Sequence, residues 1–184
     1  MRVSLIPHPD FHCEAVTGID VEATRVMPAA LMLRYVVRGD IGKVRLPTAM
    51  SFERSDGLWQ HTCFEAFLKP GAGETYNEFN FAPSTRWAAY QFSGYREGMI
   101  TATSLAAPAI ILKCEDGLLE IDVNLNVQPL PELAQARIWR AGLSAVIEET
   151  GGLKSYWALA HPPGRPDFHH PDCFALELPP ALCP

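Results

Sequence analysis

The strict alternation of apolar and polar side chains over residues 119–127 is the feature that most constrains the fold. Leu, Ile, Val, Leu and Val occupy every second position, and Glu120, Asp122, Asn124 and Asn126 occupy the positions between them. Because successive side chains of a strand point to opposite faces, this pattern predicts a β-strand with one buried face. The polar stripe is typical of a solvated face; if that face is concave, it offers an acceptor-rich floor for hydroxyl groups.

Similar strand signals recur along the whole chain, and sixteen prolines and thirteen glycines punctuate it at short intervals. Only residues 131–139 suggest a short helix, with Pro131 near its start. The sequence therefore predicts an all-β, antiparallel fold, a β-sandwich or barrel, in a single domain over residues 1–184. The further predicted strands are residues 31–37, 62–68, 76–82, 86–92, 100–104, 109–114, 142–148, 154–160 and 174–178.

Composition narrows the class of partner. A formal net charge of −6, without a basic cluster, argues against nucleic acid, which requires a positive field. No apolar stretch is long enough for a signal peptide or a membrane-spanning helix, so no membrane association is expected. Five cysteines without CxxC spacing fit reduced thiols better than a disulfide framework. We therefore expect a cytoplasmic protein, and its oligomeric state stays open.

Glu65 is a carboxylate inside a segment that otherwise reads as a buried strand. Alternation places Cys63, Glu65 and Phe67 on one face, so the carboxylate has mostly apolar company. A glutamate is seldom buried without a partner, because removing its charge from water is costly. Two interpretations remain open: Glu65 is paired inside the protein, or it meets a ligand.

Motifs for metal binding and nucleophilic catalysis are weak. His169 and His170 are adjacent, so on a strand they would face opposite ways, and the sequence contains no HExxH motif. There is no GxSxG motif, and Cys63 lies among apolar neighbours that keep a thiol protonated. We predict neither a metal site nor catalytic residues.

Aromatic residues beside polar ones suggest a different kind of site. Sugars and other polyols pack their C–H faces on flat rings, and their hydroxyls need amide, carboxylate or guanidinium partners. Trp59 follows Asp56 and Gly57 in a predicted loop and is expected to be partly exposed. The nearby polar candidates include Arg86 and His169.

Two blocks of sequence resemble the DOMON-like superfamily, within it the branch related to family 9 carbohydrate-binding modules. The first block comprises Leu58-Trp59-x-x-Thr62-Cys63-x-Glu65-x-Phe67-Leu68 and Tyr76-x-Glu78-Phe79-x-Phe81-x-Pro83. The second comprises Ser155-Tyr156-Trp157 and His169-His170-Pro171-x-x-Phe174. The resemblance spans roughly residues 56–178. It implies an immunoglobulin-like, jelly-roll-like β-sandwich that binds a ligand without catalysis.

The resemblance also suggests roles for individual residues. Trp59 matches one of two rings that stack on a sugar, and Glu65 matches a carboxylate that receives sugar hydroxyls. Asn80 lies near the place of an arginine in those modules, and Phe168 stands where the second ring is a tryptophan. Some members of the superfamily bind haem instead.

We therefore predict a non-catalytic domain that binds a small carbohydrate or polyol and no obligatory cofactor. One alternative is a domain that binds haem or a metal; another is an enzyme that uses Glu65 as a general acid. The predicted ligand-binding residues are Trp59, Glu65, Asn80, Arg86, Phe168 and His169.

Overall fold

Antiparallel β-structure accounts for nearly all regular structure of this protein. The computed structural model describes residues 1–48, 50–71 and 73–180, and these contain twelve strands and a single α-helical turn, α1 (Pro131–Gln135). The strands are β1 (Arg2–Pro7), β2 (Val16–Met27), β3 (Ala30–Gly39), β4 (Cys63–Pro70), β5 (Tyr76–Phe81), β6 (Trp87–Phe92), β7 (Ile100–Thr101), β8 (Ala109–Glu115), β9 (Leu118–Asn126), β10 (Trp139–Glu148), β11 (Lys154–Ala158) and β12 (Leu176–Leu178). The prediction of an all-β, antiparallel fold is confirmed.

The strands form one continuous, curled sheet in the order β7-β6-β5-β4-β10-β11-β1-β2-β3-β9-β8, and β12 pairs with β10. The strand β1 belongs to both arms of this sheet. Its residues from Arg2 to Leu5 pair with β2, and Ile6 and Pro7 pair with β11. One arm therefore holds β4, β5, β6 and β10, and the other holds β2, β3, β8 and β9.

The main core lies inside the curl, between inward-facing side chains of both arms. Tyr35 of β3 shows how the arms meet: its ring lies 5.1 Å from that of Phe64 on β4. Its hydroxyl donates a 2.7 Å hydrogen bond to the backbone carbonyl of Glu65. The Tyr35 hydroxyl is thereby satisfied within an otherwise apolar core.

The strand β4 is buried on both faces. Phe64, Ala66 and Leu68 point into the main core. On the opposite face, Phe67 belongs to a second apolar cluster that includes residues of β5, β6 and the loop after β11. That second face, covered only in part by the loop, carries Glu65.

All ten predicted strands are present, with shifted ends. Gly117, at φ +74°, occupies the predicted turn between β8 and β9, where a left-handed conformation favours glycine. The predicted helix at residues 131–139 is shorter than expected, because Trp139 begins β10. The Trp139 indole nitrogen donates a 2.8 Å hydrogen bond to the carbonyl of Leu133, which ties the helical turn to the strand.

Two strands, β1 and β2, were not predicted from the sequence. A register shift between Val16 and Gly18 interrupts the alternation of β2. Near its other end an inward-facing Arg25 replaces the apolar residue that the pattern requires. Its guanidinium lies 3.9 Å from the ring centroid of Trp139 and donates to backbone carbonyls, among them that of Ala136. These contacts allow the charged Arg25 side chain to be buried.

Two further findings concern membrane association and cysteines. None of the helices described is long and apolar enough to cross a membrane. Cys13, Cys63, Cys114 and Cys173 are free thiols, and Cys183 lies outside the described residues.

Candidate functional site

A cleft of about 590 Å³ opens on the face of the sheet that points away from the main core. The strands β4, β5 and β6 supply its floor, and three loops supply its rim. The cleft is lined by acidic, basic and aromatic side chains, among them Trp59, Glu65, Glu78, Tyr90, Arg96, Met99, Lys154, Tyr156, Phe168 and His169.

Glu65 lies in the floor of this cleft with 3% of its surface exposed. Its neighbours in the sheet are Asn80 on β5 and Ser144 on β10. Neither Glu65 Oε1 nor Ser144 Oγ has a hydrogen-bond partner. Glu65 Oε1 is therefore a buried hydrogen-bond acceptor without a donor, whereas nearly all buried acceptors in folded proteins have one.

Glu78 is a second buried carboxylate in the same floor, with 6% of its surface exposed. Because Glu65 pairs with Asn80 in the register of β4 and β5, Glu78 is the diagonal neighbour of Glu65 on the same face. One Glu78 oxygen accepts a 2.7 Å hydrogen bond from the Asn80 side-chain amide. The other lies 3.7 Å from His169 Nε2.

The two carboxyl groups disfavour each other's ionisation. Burial raises the pKa of Glu65 well above its usual range, and the negative charge of Glu78 raises it further, while the hydroxyl of Ser144 and the positive charge of Arg96 oppose this rise. Burial also raises the pKa of Glu78, and the hydrogen bond from Asn80 opposes that shift. Such a pair favours retention of one proton, because two adjacent anions in a poorly solvated site repel each other.

Arg96 reaches the cleft from the turn after β6, where its φ of +56° is unusual for a residue other than glycine. Its guanidinium donates to Asp167 Oδ1 from Nη2 at 2.7 Å and from Nε at 3.2 Å. The Tyr95 hydroxyl donates to the other oxygen of Asp167. Arg96 is thus already paired with a carboxylate of its own.

His169 is neutral and fixed. Its Nδ1 lies 2.7 Å from the Tyr76 hydroxyl, which itself accepts a hydrogen bond from the backbone N–H of Arg96. Burial and the positive charge of Arg96 lower the pKa of His169 to about 4. The Tyr76 hydroxyl therefore donates to Nδ1, and the ring proton belongs on Nε2, which faces Glu78.

The aromatic residues of the cleft differ in accessibility. Trp59 lies in a 3₁₀ turn, Leu58–Gln60, and is 42% exposed, with its ring edge-on to Tyr90 at 6.1 Å. Phe168 lies in the loop after β11 and is only 8% exposed, packed against Tyr156 at 6.3 Å. Trp59 can therefore offer a ring face to a ligand, whereas Phe168 mainly supports the wall.

Four of the six residues predicted from the sequence line one cleft: Trp59, Glu65, Phe168 and His169. Asn80 is fully buried and contacts Glu78 rather than the cleft. Arg86 lies elsewhere, where it pairs with Glu53 at 2.9 Å and lines a different cavity. The structure therefore does not bring Asn80 and Arg86 into the cleft.

Sequence reasoning missed Glu78 and Arg96 as site residues. A signal for Glu78 was present, since alternation in β5 places Tyr76, Glu78 and Asn80 on the same face. Arg96 had no such signal, because it stands in a polar turn whose shape depends on distant contacts with Asp167.

The residues of the cleft do not fit a haem ligand. Among the described residues, His169 and Met99 are the possible axial ligands that line the cleft. The nitrogens of His169 already face Tyr76 and Glu78, and Met99 is 57% exposed rather than held over the floor. Haem propionates would also meet two buried carboxyl groups in the floor. As for metals, residues 1–48, 50–71 and 73–180 contain no group of three or more His, Cys, Asp or Glu side chains placed to hold an ion.

No protein-family model and no curated protein matches this sequence. Solved structures do share its fold. One is a "putative carbohydrate-binding protein" from Bacteroides uniformis, with a TM-score of 0.69 and 16% identity over 97% of this chain and 85% of that one. Another is a family 9 carbohydrate-binding module from Caldicellulosiruptor kristjanssonii, solved with glucose and with cellotriose.

For both complexes of that module the TM-score is 0.51 and the identity is 10% over 88% of this chain. The alignment covers 75% of the module in the glucose complex and 74% in the cellotriose complex. At such low identity these likenesses show a shared fold.

Proposed function

We propose that this protein is a non-catalytic domain that binds a small carbohydrate or polyol in the cleft over β4 and β5. A single observation supports this most strongly: Glu65 Oε1 is a buried acceptor without a partner, in a cleft bordered by the exposed ring of Trp59. A sugar supplies what both groups lack, hydroxyl donors for the carboxylate and a C–H face for the indole.

Solved structures of the same fold add support, since one of them is described as carbohydrate-binding and another was solved with glucose and with cellotriose. We further propose that the curled sheet is an immunoglobulin-like β-sandwich of the DOMON-like superfamily. We also propose that the protein is located in the cytoplasm, where its thiols stay reduced.

Tryptophan fluorescence offers a direct test of sugar binding. Trp59 is 42% exposed, while Trp87, Trp139 and Trp157 are each at most 5% exposed, so a ligand on the cleft changes mainly the Trp59 emission. Glucose and cellotriose are titrated into the wild type and into Trp59→Ala. We expect a saturable change in the wild type and none in the variant.

The matched control is Arg86→Ala, which removes a predicted site residue that lies outside the cleft. Its titration should equal that of the wild type. Absence of a saturable change in the wild type with mono- and oligosaccharides at high concentration contradicts the proposal.

Acid–base catalysis is a second candidate function, and the pair of Glu65 and Glu78 favours it. Two buried carboxyl groups with raised pKa values are an arrangement that glycosidases use, with one protonated group as acid. A panel of chromogenic aryl glycosides tests this candidate. Turnover by the wild type that is lost in a folded Glu65→Gln variant supports it, and no turnover of any substrate rejects it.

A further inference from the structure

Charge compensation in the floor of the cleft is incomplete. Glu65 and Glu78 are two buried carboxyl groups on one face, and the guanidinium beside them is held by Asp167 at 2.7 Å. Lys154 also lines the cleft but forms no ion pair with either carboxylate. His169 is neutral and presents an N–H to Glu78. Among the residues that the structure describes, no cation therefore forms an ion pair with either carboxyl group of this pair apart from the neutral His169.

A second observation concerns the hydrogen bonding of Glu65. Only 3% of the surface of Glu65 is exposed, and this residue lines the cleft. Its Oε1 nevertheless has no hydrogen-bond partner. The Ser144 hydroxyl lies directly opposite in the sheet and is close enough to favour the ionised form of Glu65, but it makes no hydrogen bond with Oε1. A strong donor that enters the cleft would satisfy this acceptor.

We propose that the cleft prefers sugars that carry a protonated amine, with the ammonium group bound between Glu65 and Glu78. This inference rests on the proposed function and specifies the class of sugar. An ammonium group supplies three N–H donors and one positive charge. It can therefore satisfy Glu65 Oε1 and relieve the repulsion between the two carboxylates, whereas a neutral hydroxyl supplies a donor without the charge.

The aromatic surroundings suit such a ligand. Trp59 and Tyr90 border the same cleft, and the faces of aromatic rings attract cations. Arg96 works against a second cation, but its charge is shared with Asp167. The two carboxyl groups therefore make the floor of the cleft prefer a cation.

Proton release accompanies this mode of binding. Without ligand the pair favours one shared proton, and an ammonium group that binds between two carboxylates displaces that proton to solvent. The affinity for an amino sugar should thus rise with pH while the amine stays protonated. Glu78, Arg96 and the hydroxyl of Ser144 act on the ionisation of Glu65, and the charge of Glu65 acts in turn on Cys63 and Tyr35. His169, Tyr90 and Lys154 line the same cleft.

Calorimetric titration with matched sugars tests the inference. The probes are glucose, glucosamine, an isomer with the amine on the exocyclic carbon, and N-acetylglucosamine, which keeps the nitrogen but loses the charge. Because hydrogen bonds to charged groups are about twice as strong as neutral ones, we expect at least one amino sugar to bind about tenfold more tightly than glucose. N-acetylglucosamine should gain nothing.

Titrations in two buffers with different protonation enthalpies measure the released proton. We expect release with the amino sugar and little with glucose. In Glu78→Gln, a nearly isosteric change, the advantage of the amino sugar should fall to less than about threefold, and the proton release should decrease but not vanish, because burial alone still raises the pKa of Glu65. Far-UV circular dichroism and thermal melting verify that the variant is folded.

Each outcome separates the two proposals. Equal affinity for glucose and both amino sugars overturns the inference and leaves the sugar-binding proposal standing. Equally tight binding of N-acetylglucosamine also overturns it, because the site would then recognise shape rather than charge. Failure of all four sugars to bind contradicts the proposed function itself.

Discussion

Two concave surfaces of nearly equal volume differ in whether their acidic residues are paired with a cation. The cleft over β4 and β5 measures about 590 Å³, and a groove on the outer face of β2, β3, β8 and β9 measures about 600 Å³. The groove is lined by Asp122 and Arg34, among others. There Arg34 pairs with Glu120 at 2.5 Å and contacts Asp122 at 3.8 Å. These acidic residues are thus half-buried and paired with a cation of the protein.

The direction of the pKa shifts expresses the same difference. The guanidinium of Arg34 lowers the pKa of Glu120, whereas burial raises the pKa of Glu65 in the cleft. Neither cavity volume nor the number of acidic residues separates the two surfaces. What separates them is a buried carboxylate without a partner, and this is why the cleft is the better candidate for a binding site.

Ligand affinity should separate the two surfaces most clearly. Glu65→Gln replaces the buried carboxyl group of the cleft with an amide that cannot release a proton to a bound donor, and we expect sugar affinity to fall about hundredfold, or roughly 3 kcal/mol. Asp122→Asn makes the same change in the groove and should leave affinity unchanged. Fluorescence titration measures both, and an equal loss in the two variants would show that the comparison is wrong.

The aromatic ring of the cleft should contribute less than the carboxylate. Trp59→Ala removes the exposed ring face, and we expect about a tenfold loss of sugar affinity, roughly 1.4 kcal/mol. Ile111→Ala is the matched change in the groove, where Ile111 is 56% exposed. Calorimetry replaces fluorescence here because the reporter is lost. If Trp59→Ala binds the sugar as tightly as the wild type, the ring of Trp59 does not contribute to the binding site.

The sequence could predict the part of this arrangement that depends on local periodicity. Alternation located Glu65 on the face of β4 opposite Phe64, and Asp56-Gly57 placed Trp59 in a loop. The same alternation identified most strands of both arms. It failed in β2, where a register shift and the buried Arg25 interrupt the apolar pattern.

The rest of the cleft depends on contacts between distant parts of the chain. Arg96 is oriented by Asp167, which lies 71 residues later, and no local pattern encodes that pair. Arg86 shows the converse: it lies in the turn of the aromatic-rich hairpin of β5 and β6, yet its partner is Glu53 outside the cleft. Residue type and proximity in sequence therefore do not decide which polar groups meet.

Stability measured against pH provides a third test of the comparison. The pKa of Glu65 is higher in the folded than in the unfolded chain, so the folded protein holds a proton that the unfolded chain releases. The free energy of unfolding should therefore fall as pH rises from the unfolded value, about 4.5, towards the raised folded value. Glu65→Gln lacks this titration and should exceed the wild type by about 1 kcal/mol at neutral pH.

Urea denaturation of both proteins across this pH range measures that difference. The gap between variant and wild type should narrow in acid, where Glu65 is protonated in both states. Asp122→Asn is the control and should follow the wild type. A gap that stays constant with pH would mean that Glu65 is not held in a raised-pKa state.

The smallest effect is expected from the ion pair of the groove. Arg34→Gln breaks the contact with Glu120, but the Arg34 side chain is 42% exposed and water screens the pair, so the change in stability should be close to the error of the measurement. Added salt should remove even this difference, because surface pairs are screened within a Debye length. Urea denaturation at low and high ionic strength measures it. A loss of several kcal/mol that persists in salt would show that the groove, like the cleft, contains a buried charge, and the contrast between the two surfaces would then fail.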